Sequence, residues 1–243
     1  MSDWLNLVDE KRRKNMLGIL QVLSNLQDKE NLNFIIIGAI PLLIKGYFNY
    51  TVYWDIDLLF PNVNCLRDFI NKPKPKSMKI VNYDEDLMIS ENITSFHTAW
   101  AMDRSWMNVD YIMKGKAFEF YVEDTKMLEL YTETIRFSGT DFHIALYFAH
   151  PWDVILEKIL SPRTEKEADL RADMSVDIRH IYVVYRWEAD NVNFWQHIFG
   201  KAKRFNRLIE CKRKLLYILQ ISKDLGYEDI NISTSVLEML ESS

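Results

Sequence analysis

Apolar residues recur at helical spacing from residue 7 to residue 28, where Met16, Ile19, Leu20, Leu23 and Leu26 return near one face. Asn31 and Asn33 interrupt that pattern. Phe34-Ile35-Ile36-Ile37 then reads as a buried strand ending at Gly38, and Pro41 suits the first turn of a short helix. A second strand is expected over 53–60 (YWDIDLLF), stopped by Pro61-Asn62, with a helix from Val63 to Asn71. Lys72-Pro73-Lys74-Pro75-Lys76 is a basic, proline-broken loop, and the signal from Met78 to Ile89 is weak. SFHTAWAM and SWMNVDYIM alternate as strands joined like a hairpin at Asp103-Arg104, and extended or mixed segments continue to Ala149.

After His150-Pro151 the period changes to helical throughout. PWDVILEKIL is the first helix, residues 165–187 the second and residues 191–225 the third. The pattern predicts an α+β protein, with a mixed-sheet domain over 1–150 and a helical domain over 151–243.

Composition narrows the chemistry. The seven glycines stand apart, so neither G-x-G-x-x-G nor a P-loop can be written, which argues against dinucleotide oxidoreductases and P-loop NTPases. Two cysteines, Cys65 and Cys211, cannot build a disulfide framework or a thiolate zinc site, and no H-E-x-x-H occurs. MSDWLNLVDEKRRK carries charge where a secretion signal needs an apolar stretch, and runs such as FIIIGAIPLLI are too short to span a bilayer. A cytoplasmic protein that makes no membrane contact is the expectation.

The sharpest local feature is Trp54-Asp55-Ile56-Asp57-Leu58-Leu59-Phe60. Side chains two apart in a strand point the same way, so Asp55 and Asp57 share a face opposite Ile56, Leu58 and Phe60. Adjacent carboxylates repel, and a divalent cation with a preference for oxygen, such as Mg²⁺, resolves the conflict. A solvated strand edge accounts for the same pair without a metal. Two further elements favour the metal: Gly38 ends a strand and leaves the backbone open to a phosphate, and Asn108-Val109-Asp110-Tyr111 places a third carboxylate on another strand.

This order of elements resembles the nucleotidyltransferase superfamily related to DNA polymerase beta. Its pattern is a hydrophobic strand, Gly followed by Gly or Ser, a short helix, Asp-x-Asp on the next strand and a third Asp on a later one. Gly38, Asp55 with Asp57, and Asp110 match it, with gaps of 17 residues from Gly38 to Asp55 and 53 from Asp57 to Asp110. Ala39 departs from the pattern, because it lacks the serine hydroxyl or second flexible backbone position. Ile155-Leu156-Glu157-Lys158-Ile159-Leu160, a charged stretch with Arg163 and Arg171, and Val176-Asp177-Ile178-Arg179-His180-Ile181 resemble the abortive-infection toxin (AbiEii-like) branch. The joint resemblance covers residues 32–186.

The resemblance implies a nucleotidyltransferase-like mixed sheet with flanking helices, followed by a C-terminal helical bundle. It implies a transferase that moves an NMP from an NTP to an acceptor hydroxyl. Asp55, Asp57 and Asp110 would bind Mg²⁺ or Mn²⁺, Gly38 and Ala39 would admit the phosphates, and Lys158 with Asp177 would complete the active site. Lys158 and Asp177 flank apolar stripes, which suits a cleft rim, with a plain helix-to-helix ion pair as the alternative. His180 reads as a surface or structural histidine rather than a base. The toxin branch implies RNA, tRNA included, as acceptor and an antitoxin as partner; small-molecule acceptors and a non-catalytic binding module stay open.

Residues 201–214 hold seven basic residues and one acid, so this segment carries +6 and the rest of the chain −11. That asymmetry is the candidate RNA surface, beside the alternative of a solvated helix face.

Overall fold

The structure, a computed structural model, describes residues 3–51, 54–83, 95–102, 104–123, 128–162, 164, 176–224, 226, 236 and 238. The expected strand start at 53, turn residue Asp103, the arginines Arg163 and Arg171, and the first part of the helix expected over 165–187 lie outside them. The chain divides into two compact units, Met1–His150 and Pro151–Ser243. Among the described residues no helix is long and apolar enough to cross a membrane.

In the first unit a 3₁₀ turn (Asp3–Leu7) leads into helix α1 (Glu10–Leu26), which Asp9 caps by accepting a hydrogen bond from the Lys11 N–H. The isoleucine run forms strand β1 (Ile35–Ile37), and Gly38 passes directly into helix α2 (Ala39–Ile44), with Pro41 in its first turn. Strand β2 (Ile56–Phe60) and helix α3 (Val63–Asn71) follow, the helix capped by Asn62 on the Asn64 and Cys65 N–H groups. Lys72 and Lys74 of the basic loop donate to carbonyls at the ends of α1 and α3 (Leu26, Phe69 and Ile70), so this loop closes helix C-termini.

The remaining strands are β3 (Lys79–Asn82), β4 (Ser95–Ala101), β5 (Met107–Met113), β6 (Glu129–Phe137) and β7 (Thr140–Phe148). Helix α4 (Gly115–Val122) falls within the region expected to be extended or mixed. Three of its aromatics, Phe118, Phe120 and Tyr121, are buried, and the Phe118-Glu119-Phe120 alternation imitates a strand over so short a stretch. The seven strands form one mixed sheet in the order β3-β4-β5-β2-β1-β7-β6. β2 runs parallel to β5 and antiparallel to β1, and β6 and β7 are a hairpin whose turn residues Ser138 and Gly139 both have positive φ.

One face of the central strands is the core. Ile56, Leu58, Phe60, Val109, Tyr111, Phe96 and Trp100 are all buried there, and Phe69 of α3 packs edge-on against Phe60 at 5.2 Å between ring centres and Tyr111 at 5.5 Å. Thr98 donates to the Val109 carbonyl, and the Trp100 indole donates to Thr98 and Tyr111, so polar groups on this face are satisfied in place. The opposite face of β2, β4 and β5 carries Asp57, His97, Asn108 and Asp110 beside the buried Leu59, Ala99 and Ala101.

The second unit contains helices α5 (Pro151–Leu160), α6 (Val176–Glu188), α7 (Val192–Arg204) and α8 (Leu208–Asp224). The expected single helix over 191–225 is therefore two. Asn206 adopts a left-handed φ of 58°, the Arg207 N–H reaches back to the Ala202 carbonyl at 2.8 Å, and the Asn206 N–H to Lys203 at 3.0 Å. That is a helix-ending motif with asparagine where glycine is commoner.

Candidate functional site

Strand register gathers the acidic residues of the first unit. Ile37 pairs with Asp57, Asp57 with Asp110, and Asp110 with His97, so one lateral row crosses β1, β2, β5 and β4. Residues paired across neighbouring strands lie on the same face, about 4.8 Å apart in strand spacing. Asp57, Asp110 and His97 therefore stand side by side on the polar face, away from the aromatic core.

Gly38 shapes the end of this row. Its φ is +73°, which an L side chain rarely adopts, and a Cβ there would meet the Asp57 Oδ2 at 1.9 Å. The Asp57 carboxylate thus lies directly over a backbone position that only glycine can fill. Two independent constraints, conformation and space, select the same residue.

Asp55 differs from the expectation in one respect. The strand begins at Ile56, so Asp55 stands just before it, on an exposed residue. Its carboxyl is nonetheless crowded. Loss of water and then the Asp110 charge raise its pKa above the ordinary carboxylate range, partly offset by a hydrogen bond from Asn108 and by the Arg12 and His97 charges. Asp110 is partly buried, its side chain 21% exposed, and His97 Nδ1 lies 3.1 Å from its Oδ1.

The structure thus brings Asp57 and Asp110 into register, sets Asp55 within electrostatic reach of Asp110, and places Gly38 beneath Asp57. Among the described residues, no three His, Cys, Asp or Glu side chains converge closely enough to hold a metal ion as they stand. The donor set nevertheless fits a hard divalent cation in chemistry, because all three groups offer carboxylate oxygens. Arg12, His97 and Asn108 are the site neighbours that sequence reasoning missed. His97 carried a signal: in S-F-H-T-A-W it alternates with buried Phe96 and Thr98 and falls on the polar face.

Lys158 and Asp177 belong to the second unit. They pair with each other, Lys158 Nζ donating to Asp177 Oδ1, with side chains only 13% and 8% exposed. His180, one turn further along α6, is buried and driven down to about 3, first by loss of water and then by the Lys158 charge, so it is neutral and structural.

The basic segment is less exposed than its composition suggests. Lys201 is fully buried against Asp153 at 2.7 Å, and His197 meets the other oxygen of the same carboxylate at 2.6 Å. Lys214 is buried and donates to the Leu160 and Ser161 carbonyls at 3.2 Å each, capping α5. Arg207 donates to Leu160 and to Glu210. Lys203, Arg204 and Arg213 are exposed.

The sequence matches no protein-family model and no curated protein. The structure is similar to that of an antigenic nucleotidyltransferase-like protein from Paracoccidioides brasiliensis, over 93% of this chain and 97% of that one, at 17% identity and a TM-score of 0.50. A proposed nucleotidyltransferase from H. pylori matches 97% of this chain and 100% of its own at 11% identity and a TM-score of 0.46. What the chain shares with the nucleotidyltransferase-like protein is the fold, an α+β mixed sheet with flanking helices.

Proposed function

We propose that this protein is a metal-dependent nucleotidyltransferase that moves a nucleoside monophosphate from an NTP to an acceptor hydroxyl. The observation that carries the reading is the Asp57 carboxylate poised over side-chain-free Gly38 with Asp110 beside it in register. A strand edge that merely tolerates acids has no need of a glycine under one of them.

In the transfer, the acceptor oxygen bonds to the α-phosphorus while the bond from that phosphorus to the α–β bridging oxygen breaks. Pyrophosphate leaves with the electron pair, and the Asp110 carboxylate takes the acceptor proton. Mg²⁺ or Mn²⁺ held by Asp55, Asp57 and Asp110 would supply charge neutralisation of the triphosphate and a more acidic acceptor hydroxyl. The Gly38-Ala39 turn keeps the backbone approachable by phosphate. The toxin-branch resemblance adds Lys158 as a cation for the triphosphate and Asp177 as the group that orients it, a role their mutual ion pair suits. RNA, tRNA included, is the acceptor in this reading, with an antitoxin as partner and the cytoplasm as its place of action.

The test is incubation with each α-labelled NTP, Mg²⁺ and total RNA, asking whether label becomes covalent and whether Asp57→Asn prevents it. Label on RNA supports the full reading, and label on a small molecule retains the transferase but replaces the acceptor. A second reading, a non-catalytic module, is favoured by Ala39 and by carboxylates that do not converge as they stand. It requires nucleotide binding with no covalent label under any condition.

A further inference from the structure

The imidazole beside Asp110 has no part in the transfer chemistry above, yet its placement is tightly specified. We propose that His97 is a positioning residue for Asp110, holding Oδ1 so that Oδ2 is the oxygen presented to a divalent cation. The inference rests on the metal-binding reading of the same site.

Three observations support it. First, His97 is the cross-strand partner of Asp110, and its Nδ1 lies 3.1 Å from Oδ1, a distance at which a proton on Nδ1 fixes a carboxylate. Second, the two strands are locked from the core side. Thr98 donates to the Val109 carbonyl, Trp100 donates to Tyr111, and the Phe96 and Tyr111 rings stand 4.8 Å apart, so the residues flanking His97 and Asp110 cannot slide. The Tyr83 N–H also donates to the His97 carbonyl at 3.0 Å, which holds the His97 backbone from its other side.

Third, the His97 side chain is 54% exposed, so packing does not explain a histidine at this position. A carboxylate flanked by Asp57 in register and by the nearby Asp55 would otherwise rotate away from its neighbours' charge. Groups that hold a ligating carboxylate from outside typically change metal affinity 10–100-fold when removed.

The experiment is a Mn²⁺ titration of the full chain, read by the paramagnetic signal of free Mn²⁺, with no nucleotide present. Wild type, His97→Ala, His97→Asn and Asp57→Asn are compared, with thermal melting of each. We expect His97→Ala to weaken Mn²⁺ binding by about tenfold or more. His97→Asn should restore most of it, because the Asn amide nitrogen can stand where Nδ1 stood, and neither change should shift the melting temperature. Unchanged Mn²⁺ affinity in His97→Ala, alongside lost affinity in Asp57→Asn, overturns the role of His97 and leaves the metal site standing. Equal weakening in Ala and Asn variants, accompanied by a lower melting temperature, overturns it in favour of a structural role. No Mn²⁺ binding by wild type, or binding that Asp57→Asn leaves intact, overturns the metal reading and His97 with it.

Discussion

The two units handle charge in opposite ways. In the sheet unit, three carboxylates of the same sign collect on the polar face of the central strands, with Asp57 over Gly38 and Asp110 beside it. In the helical unit, charges of opposite sign are taken inside and matched to each other, Asp153 with Lys201 and Lys158 with Asp177, and His197 adds a hydrogen-bonding contact to Asp153. Gathered like charges cost stability, while a buried pair is neutral at best and severe to break. Like charges gathered on a sheet face are left uncompensated by one another, whereas the helical interior matches each of these acids with a base. Counting basic residues in a segment therefore says little about where the charge is spent.

The largest expected effect tests the sheet unit. Asp57→Asn keeps volume and removes one carboxylate, so under the proposed function transfer should fall by about 10²–10³-fold while the melting temperature holds or rises. Wild-type rates in that variant would remove the site. Gly38→Ala should reduce transfer as well, because its Cβ displaces the Asp57 carboxylate, and should also lower stability through the positive φ.

Next comes the helical interior. Lys201→Met leaves Asp153 buried beside only His197 and should cost about 3–5 kcal/mol by denaturant unfolding. Pairing it with Asp153→Leu should recover much of that loss. A small effect of the single change would mean that the pair is not buried as described.

Lys158→Ala sharpens the boundary between the two behaviours. As a purely internal pair with Asp177 it should destabilise the fold by about 3 kcal/mol and leave nucleotide affinity unchanged. As a substrate cation it should weaken NTP binding more than it lowers the melting temperature. Calorimetric NTP titration beside thermal melting decides between them.

His180 predicts a pH dependence. Its folded pKa is depressed to about 3 from the ordinary 6.5, so between those values the unfolded chain binds a proton that the folded chain refuses. Stability should therefore be full above about pH 6.5 and fall as pH drops towards 3, by at most about 1.4 kcal/mol per pH unit. His180→Gln should flatten that slope in pH-dependent unfolding.

The smallest effect concerns the surface. Neutralising Lys203, Arg204 and Arg213 together should weaken RNA binding and lower the log–log salt slope by roughly 0.7–0.9 per lost contact. Binding and slope that do not move would reject this surface as the RNA contact. Lys201 and Lys214 are left out of that variant because they are internal.

Much of the sheet unit was legible from local patterns. An isoleucine run, a lone glycine, an early proline and an alternating D-x-D segment each act over a few residues, and β1, Gly38, α2 and β2 follow in that order. The strands bearing His97 and Asp110 were legible for the same reason. α4 and β3 were not: Phe118-Glu119-Phe120 alternates as a strand would, and Lys79–Asn82 is an edge strand with no buried alternate residues to mark it. The break at Asn206 was also missed, because the basic and apolar spacing continues across it and asparagine marks a helix end less plainly than glycine.

Sequence alone therefore determined on which face of a strand the candidate residues fall, because side-chain alternation is a property of the local backbone. Only the tertiary structure decided which of them meet. The Asp57–Asp110 register depends on a parallel pairing across 53 residues of chain, and the Asp153–Lys201 pair on helices whose partners are 48 residues apart. Composition counts Lys201 and Lys203 alike, yet one is sealed in the core and the other is exposed. The reason is that burial and pairing depend on which elements pack together, and that choice is made by the whole chain rather than by any segment of it.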